Sequence, residues 1–145
     1  MAETAPAWSP RRVFLFSGHM IDAPGRERPR FPADKEPIAA AAIAAKLDEL
    51  AAGAADRGVC AAACGGDLLF AEAALRRAVA LEIHLPLREP EFLAASVDFA
   101  DAHWRRRYFA VTRHPGVSML VAPEVLGPLP ADTDPFERAN LWMLR

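Results

Sequence analysis

The chain has 145 residues, of which 52% are hydrophobic and 25% are charged, and its formal net charge at pH 7 is -2. This composition is typical of one folded domain and excludes an intrinsically disordered chain. A net acidic chain lacks the basic surface that a nucleic acid needs, and no apolar run approaches the roughly 20 residues of a membrane span. The start of the chain carries prolines and charges in place of an apolar signal peptide. We therefore expect a cytoplasmic domain that binds neither nucleic acid nor membrane.

Apolar runs that indicate buried strands alternate with segments of helical periodicity along the chain. In chain order, the pattern predicts a strand at 12–16, a proline-containing loop at 19–34, a helix that Asp34 or Glu36 begins and Gly58 ends, and a strand at 59–64. There follow a helix at 68–78 with Asp67 as its N-cap, a strand at 79–86, a helix at 89–114 and a strand at 117–122. A proline-rich loop at 123–135 leads to a last helix at 136–144.

This alternation predicts an α/β fold, a Rossmann-like three-layer αβα sandwich around a mostly parallel sheet of about four to five strands. Of the two common doubly wound strand orders, we favour the one with the first strand in the centre. Residues 1–11 are predicted to be a flexible leader and residues 12–145 a single domain. Because the chain stops at a helix where such domains usually add a strand, we expect a truncated chain or an edge that a partner completes. Apolar surface at Trp142 and Leu144 would then favour a homodimer.

Three predicted strand-to-helix turns carry the candidate ligand site, because parallel sheets bind ligands beyond the carboxyl ends of their strands. The candidate ligand-binding residues in these turns are Ser17, Gly18, His19, Gly65, Gly66 and Pro86. Glycine lets backbone amides approach a phosphate or carboxylate closely at a helix N-terminus. Neither GxGxxG nor GxxxxGK(S/T) is present, so glycines that only form tight turns are an equally good interpretation.

The loop after the first strand contributes Asp22, Arg26 and Arg30 as further candidate ligand-binding residues, with Arg28 between them. The planar guanidinium of arginine suits a phosphate, so we predict that this loop is a lid that clamps a phosphorylated ligand. Loop charges that are simply solvated are the alternative interpretation. His19 could donate to a phosphate or transfer a proton, or it could bond to the loop backbone.

Structural roles are predicted for the remaining distinctive residues. The arginine run at 105–107 is expected to form a solvated helix face that points away from Trp104 and pairs in part with nearby aspartates. Cys60 and Cys64 are expected to be buried thiols. No metal site and no cofactor are predicted, because no second pair of cysteines or histidines has the spacing of zinc ligands.

A family resemblance rests on the segments 14–22, 65–75 and 85–86, followed by Phe92 and Trp104. They resemble bacterial domains that accompany tetratricopeptide repeats or nucleotide cyclases. These domains are similar to the superfamily of TIR domains, nucleoside deoxyribosyltransferases and Lonely-Guy-type proteins. The resemblance covers about residues 12–122 and implies a nucleotide or nucleoside as ligand.

The resemblance also implies a possible enzyme, because many members of that superfamily break an N-glycosidic bond with a glutamate on a helix. Carried onto this sequence, the glutamate is Glu72, with Asp67 as its catalytic helper. The Gly-Thr step that phosphoribohydrolases place before the glutamate is absent here. Glu72 also precedes Arg76 by four positions, the spacing of a surface ion pair on a helix.

Three functions therefore follow as expectations. The first is a nucleotide- or nucleoside-binding sensor domain of a bacterial signalling or defence protein. The second is a nucleoside or nucleotide N-glycosidase that uses Glu72, and the third is a domain that only mediates protein association.

Overall fold

A computed structural model describes residues 8–145 as one four-stranded, all-parallel sheet with helices around it. The strands are Arg12–Leu15 (β1), Asp56–Cys60 (β2), Ala80–Leu85 (β3) and Val117–Val121 (β4). The helices are Glu36–Glu49 (α1), Gly66–Arg76 (α2), Glu89–Ser96 (α3), His103–Thr112 (α4), Ala122–Val125 (α5) and Pro135–Met143 (α6), with a short 3-10 turn at Ala33–Lys35. The predicted α/β class with a parallel sheet is confirmed. Across this described range, no helix has the length and apolar character needed to cross a bilayer.

The strand order is β1-β2-β3-β4, so β1 and β4 form the two edges. The prediction that β1 lies in the centre is therefore wrong. When every right-handed crossover steps in the same direction, all connecting helices lie on the same face of the sheet. In agreement, α2 packs against both α1 and α4. The strand order does not reverse between β1 and β4. Doubly wound sheets, by contrast, open their ligand crevice at the point where the strand order reverses.

The two faces of the sheet are covered differently. On one face, paired positions of neighbouring strands hold Phe14, Gly58 and Leu81, and a Cβ at Gly58 would contact Phe70 of α2. Because side chains alternate along a strand, His84 of β3 lies on the opposite face. There the ring of Trp142 from α6 lies 4.3 Å from the His84 ring. Helix α6 thus supplies the third layer of the predicted sandwich.

Most of the core lies between the sheet and the layer of α1, α2 and α4. Its largest fully buried side chains are Trp104, Tyr108, Phe92, Ile21, Leu68 and Ile83. Cys60 and Cys64 are buried and free, as predicted. Burial raises the pKa of Cys64 to about 12 and that of Cys60 well above its ordinary value.

Asp56 joins the amino ends of β1 and β2. Its side chain has no exposed surface and accepts hydrogen bonds from the guanidinium groups of Arg11 and Arg12 and from the amide of Gly53. The hydrogen bonds from Arg12 contribute most to holding the Asp56 pKa well below its ordinary value. Arg11 belongs to the predicted leader, most of which lies outside the described residues.

Three predicted segments differ from the structure in their bounds or content. Helix α1 ends at Glu49, since Ala51 has a φ of 51° in the left-handed region that commonly follows a helix, and Gly58 lies inside β2. The predicted strand at 59–64 is displaced accordingly to Asp56–Cys60. The short helix α5 also occupies part of the predicted loop at 123–135.

The long helix predicted at 89–114 is also wrong, because it is two helices, α3 and α4. The amide of Asp98 turns back to the carbonyl of Leu93 at 2.8 Å and closes α3. The carboxylate of Asp101 accepts a hydrogen bond from the amide of His103 at the start of α4. The α3–α4 linker at residues 97–102 is therefore a corner of the molecule.

Candidate functional site

The loops that follow β1 and β2 meet and pack backbone against backbone. The amide of Ile21 donates to the carbonyl of Cys64, and the amide of Gly66 donates to the carbonyl of His19, each at 3.0 Å. Two of the three predicted turns therefore come together at the carboxyl ends of the strands.

Gly65 is required for this close packing, and a side chain at Gly66 would crowd the facing loop. Gly65 has a φ of 107°, and a Cβ there would overlap the backbone of Ile21. A Cβ at Gly66 would lie 3.2 Å from the Cα of Gly18. The glycines let the two loops touch, which agrees with the interpretation as tight turns. The first amide of α2 already has the His19 carbonyl as its acceptor, so it is not free for a phosphate.

Asp67 is buried beneath this junction, and its side chain does not cap α2. The N-cap position of α2 is Gly65, so the prediction of Asp67 as N-cap is wrong. Asp67 instead accepts a hydrogen bond from the amide of Ala63, outside the helix, at 3.3 Å. Burial raises the pKa of Asp67 to about 7, although hydrogen bonds from the amides of Ala63 and Gly18 act in the opposite direction. Its catalytic role stays a prediction, and the contacts here are those of a residue that joins two loops.

The end of α3, which follows the third predicted turn in the chain, also reaches this junction. The amide of Cys64 donates to the carbonyl of Ser96 at 2.9 Å, while Leu85 and Pro86 are buried. Ser17 is exposed. Neither Ser17 nor Pro86 lines the clefts described next.

Asp22 organises the loop at residues 22–31. Its carboxylate accepts hydrogen bonds from the amides of Arg30 at 2.9 Å and Phe31 at 3.0 Å, and from the guanidinium of Arg26 at 3.1 Å. Burial raises the pKa of Asp22, but these hydrogen bonds outweigh it and hold the pKa below its ordinary value. Pro24 precedes Gly25, whose φ is 75°, and the amide of Arg26 closes a turn onto Ala23. The loop is thus held in a defined shape by one carboxylate.

Two adjoining clefts separate this loop from the α3–α4 linker. The first, with a volume of about 420 Å³, is lined by His19, Met20, Ile21, Arg26, Arg30 and Phe99, among others. The second, of about 320 Å³, is lined by Ile21, Asp22, Pro29, Ala100, Asp101 and Trp104, among others. We call them the cationic cleft and the acidic cleft, after their charged residues. They share residues 23–26, so the turn of the loop forms a wall of both.

Four of the predicted ligand-binding residues therefore lie at a cleft. His19, Arg26 and Arg30 line the cationic cleft, and Asp22 lines the acidic cleft. The Arg26 charge is partly balanced by Asp22. Among residues 8–145, no carboxylate forms a salt bridge with Arg30, although its backbone amide is bound by Asp22. Arg30 thus presents the less compensated positive charge.

Glu72 lies between helices, where Arg107 of α4 binds it. Both carboxylate oxygens of Glu72 accept hydrogen bonds from Arg107, at 2.6 and 3.0 Å. Arg107 also binds Glu36, so that one guanidinium joins α1, α2 and α4. Within the described range, the ion pair of Glu72 is with Arg107 and not with Arg76. The catalytic role of Glu72 stays a prediction. In this pairing, each carboxylate oxygen of Glu72 is bound by the Arg107 cation.

The arginine run at 105–107 is only in part the solvated face that was predicted. Arg105 forms the expected surface pair with Asp98 at 2.8 Å. For Arg107 the prediction is wrong, because its guanidinium lies 4.1 Å from the ring centre of Trp104. The helix layer turns Arg107 inward, towards the carboxylates of α1 and α2.

The sequence does not identify Phe99, Ala100 and Asp101 as cleft residues. Its helical periodicity predicts a continuous helix through them, because neither glycine nor proline marks the break. The pair Asp98 and Asp101 was the available signal, since aspartate favours helix ends and turns over helix interiors.

In the described part of the chain, no group of three or more His, Cys, Asp or Glu side chains is arranged to hold a metal ion. No family model, no curated protein and no solved structure matches this chain.

Proposed function

We propose that this domain binds a small phosphorylated ligand of the nucleotide class in the cationic cleft and acts as a ligand sensor. The observation that carries the proposal is that His19, Arg26 and Arg30 line one cleft whose far wall is Phe99. Guanidinium and imidazole groups donate hydrogen bonds to phosphate oxygens, and an aromatic ring offers a surface on which a base can stack.

The size and the charge of the cleft support the same ligand class. Its volume of about 420 Å³ falls within the roughly 300–1,000 Å³ typical of small-molecule sites. The acidic cleft beside it holds Asp101, whose carboxylate could accept hydrogen bonds from sugar hydroxyls. A nucleotide combines an anionic group, a hydroxylated sugar and an aromatic base, which match these three surfaces.

We propose that the ligand is bound without being cleaved, because the carboxylate of Glu72 is already paired with an arginine. A nucleophilic or basic carboxylate needs an oxygen within reach of the substrate. Both oxygens of Glu72 are instead bound by Arg107, and Glu72 lines neither cleft. Incubation with nucleosides and nucleotides, followed by chromatography for free base, checks this point. If the protein releases free base and the Glu72→Gln variant does not, the result would support the N-glycosidase in place of the sensor.

A thermal-shift screen tests the binding proposal directly. Ligands would include adenine and guanine nucleotides, the matching nucleosides and inorganic phosphate. A ligand present at 100 times its Kd stabilises the folded state by about 2.7 kcal/mol, which a melting curve resolves easily. We expect a nucleotide to raise Tm more than its nucleoside does, because the arginines act on the phosphate.

The matched variants are Arg30→Ala and Arg28→Ala. Both positions are exposed in the same loop, but only Arg30 lines the cationic cleft. We expect Arg30→Ala to abolish most of the nucleotide-dependent rise in Tm and Arg28→Ala to preserve it. The proposal is refuted if no nucleotide raises Tm, or if the two variants lose the response equally.

A further inference from the structure

Among residues 8–145, β1 pairs with β2 alone, so its other side is an edge of the sheet. The amide of Phe16 donates to the carbonyl of Val59, so the even-numbered residues of β1 direct their backbone groups towards β2. Because successive residues of a strand direct their backbone groups to opposite sides, those of Val13 and Leu15 point away from the sheet. The two residues are also 55% and 44% exposed.

This edge lacks the features that usually prevent strands from pairing between molecules. Edge strands are commonly protected by proline, by lysine or by a bulge. β1 has the sequence RVFL, and its register with β2 is uninterrupted. Its one charged side chain, Arg12, is turned towards Asp56 and binds it through two nitrogens. The outer side of the strand therefore offers hydrogen-bonding groups and apolar side chains alone.

An apolar groove continues from this edge onto α1. It has a volume of about 500 Å³ and is lined by Phe14, Phe16, Ile43, Leu47, Leu50 and Phe70, among others. Ala42 lines the groove and is itself exposed, as are Ala41 and Ala45. Ile38, one turn earlier, is 64% exposed. The apolar surface thus covers both a strand edge and the small-residue side of a helix, where another helix could approach closely.

We propose that a second copy of this chain covers this surface, with its β1 antiparallel to the first and the sheet continued across a twofold axis. With Phe14 opposite Phe14 of the second copy, Val13 lies opposite Leu15 of the second copy, and Leu15 opposite its Val13. Each of these two pairs exchanges both backbone hydrogen bonds, because these are the residues whose groups point outward. The pairing also brings the exposed apolar side chains of the two edges together.

A second copy fits this surface better than an isolated strand does. A strand alone would satisfy the edge of β1 but leave the exposed side of α1 uncovered. A twofold axis perpendicular to the sheet places α1 of the second copy on the same face, antiparallel and adjacent. Lys46 and Glu49 of α1 are exposed and pair with each other at 3.3 Å, so their charges cancel locally and do not repel α1 of a second copy.

The oligomeric state and two matched variants test the proposal. We expect sedimentation equilibrium of the full chain to give twice the chain mass of 15.8 kDa, and dilution to shift it towards the monomer. Val13→Lys places a charge in the centre of the twofold surface and should yield a monomer. Val125→Lys is the control, since Val125 is 53% exposed at a place remote in sequence, and it should remain dimeric. Far-UV circular dichroism and Tm check that both variants fold.

Cysteine variants test the register independently of folding effects. When Val13→Cys and Leu15→Cys proteins are mixed under mild oxidation, we expect disulfide-linked heterodimers in excess over either homodimer, because only opposite positions come within bonding distance. A chain that stays monomeric at every accessible concentration overturns the proposal. So does a dimer that Val13→Lys leaves intact, or one that gives no preference for the mixed disulfide.

Discussion

Replacement of Asp67 by asparagine should stabilise the protein above neutral pH, because a buried carboxylate that must ionise opposes folding. Burial raises the folded-state pKa of Asp67 from 3.8 to about 7. The folded state therefore holds this proton more tightly than the unfolded state does. The resulting stabilisation is complete below the unfolded pKa and is lost as the pH rises through the folded pKa. At about 1.4 kcal/mol per pKa unit, the group accounts for on the order of 4 kcal/mol between those limits.

Asparagine removes this titration at the cost of one imperfect hydrogen bond. Its amide oxygen can still accept from the Ala63 amide, as the carboxylate does. Its NH2 group, however, replaces an acceptor with a donor, which we expect to cost about 1–2 kcal/mol. The net expectation for Asp67→Asn is a gain of about 2 kcal/mol in the free energy of unfolding at pH 8, and a small loss at pH 4.5.

Urea unfolding followed by tryptophan fluorescence, at intervals from pH 4.5 to pH 8, measures this difference. The wild-type free energy of unfolding should have a component that falls with rising pH and that Asp67→Asn lacks. Asp34→Asn is the control, because it removes an exposed carboxylate in place of the buried one, and it should not reproduce the effect of Asp67→Asn. A variant less stable than wild type at pH 8, or one with the wild-type pH dependence, would refute the reasoning.

Three further outcomes are expected. Arg107→Lys should lower the free energy of unfolding by about 1–3 kcal/mol, measured by urea denaturation, because lysine cannot hold both carboxylate partners in the same geometry. Gly65→Ala should cost about 3 kcal/mol or more through its φ and its overlap with the neighbouring loop, while Gly25→Ala, with open space around it, should cost about 1–2 kcal/mol. Cys60 and Cys64 should resist a thiol reagent at pH 8 until denaturant is added, since burial raises both pKa values; rapid labelling of the native protein would contradict this.

The elements that the sequence predicted well have strong local signals. β3 was predicted at 79–86 and is Ala80–Leu85, and β4 was predicted at 117–122 and is Val117–Val121. Both are short segments rich in aliphatic residues that begin soon after a helix and end near a proline, which is enough to define a strand. The last helix was predicted within one residue at each end, since Pro135 is well suited to a first turn.

The candidate site was predicted in part. The proline- and arginine-rich loop was recognised because its composition allows no regular element, and its residues Asp22, Arg26 and Arg30 do lie at clefts. The opposite wall at Phe99 and Asp101 was not recognised, because the break between α3 and α4 depends on capping contacts that periodicity does not reveal. The sequence predicts that Glu72 lies on a helix, but it does not predict the pairing with Arg107, which is 35 positions away in the chain.

By itself, the sequence determined the α/β class, the parallel sheet and the thiols buried in its core, because alternating apolar runs and helical periodicity are local properties of a chain. Only the tertiary structure decided that β1 lies at an edge, that Arg107 binds two carboxylates and that the glycines after β2 pack against another loop. Each of these depends on which distant segments share a neighbour, and that choice is made by the summed packing of the whole domain.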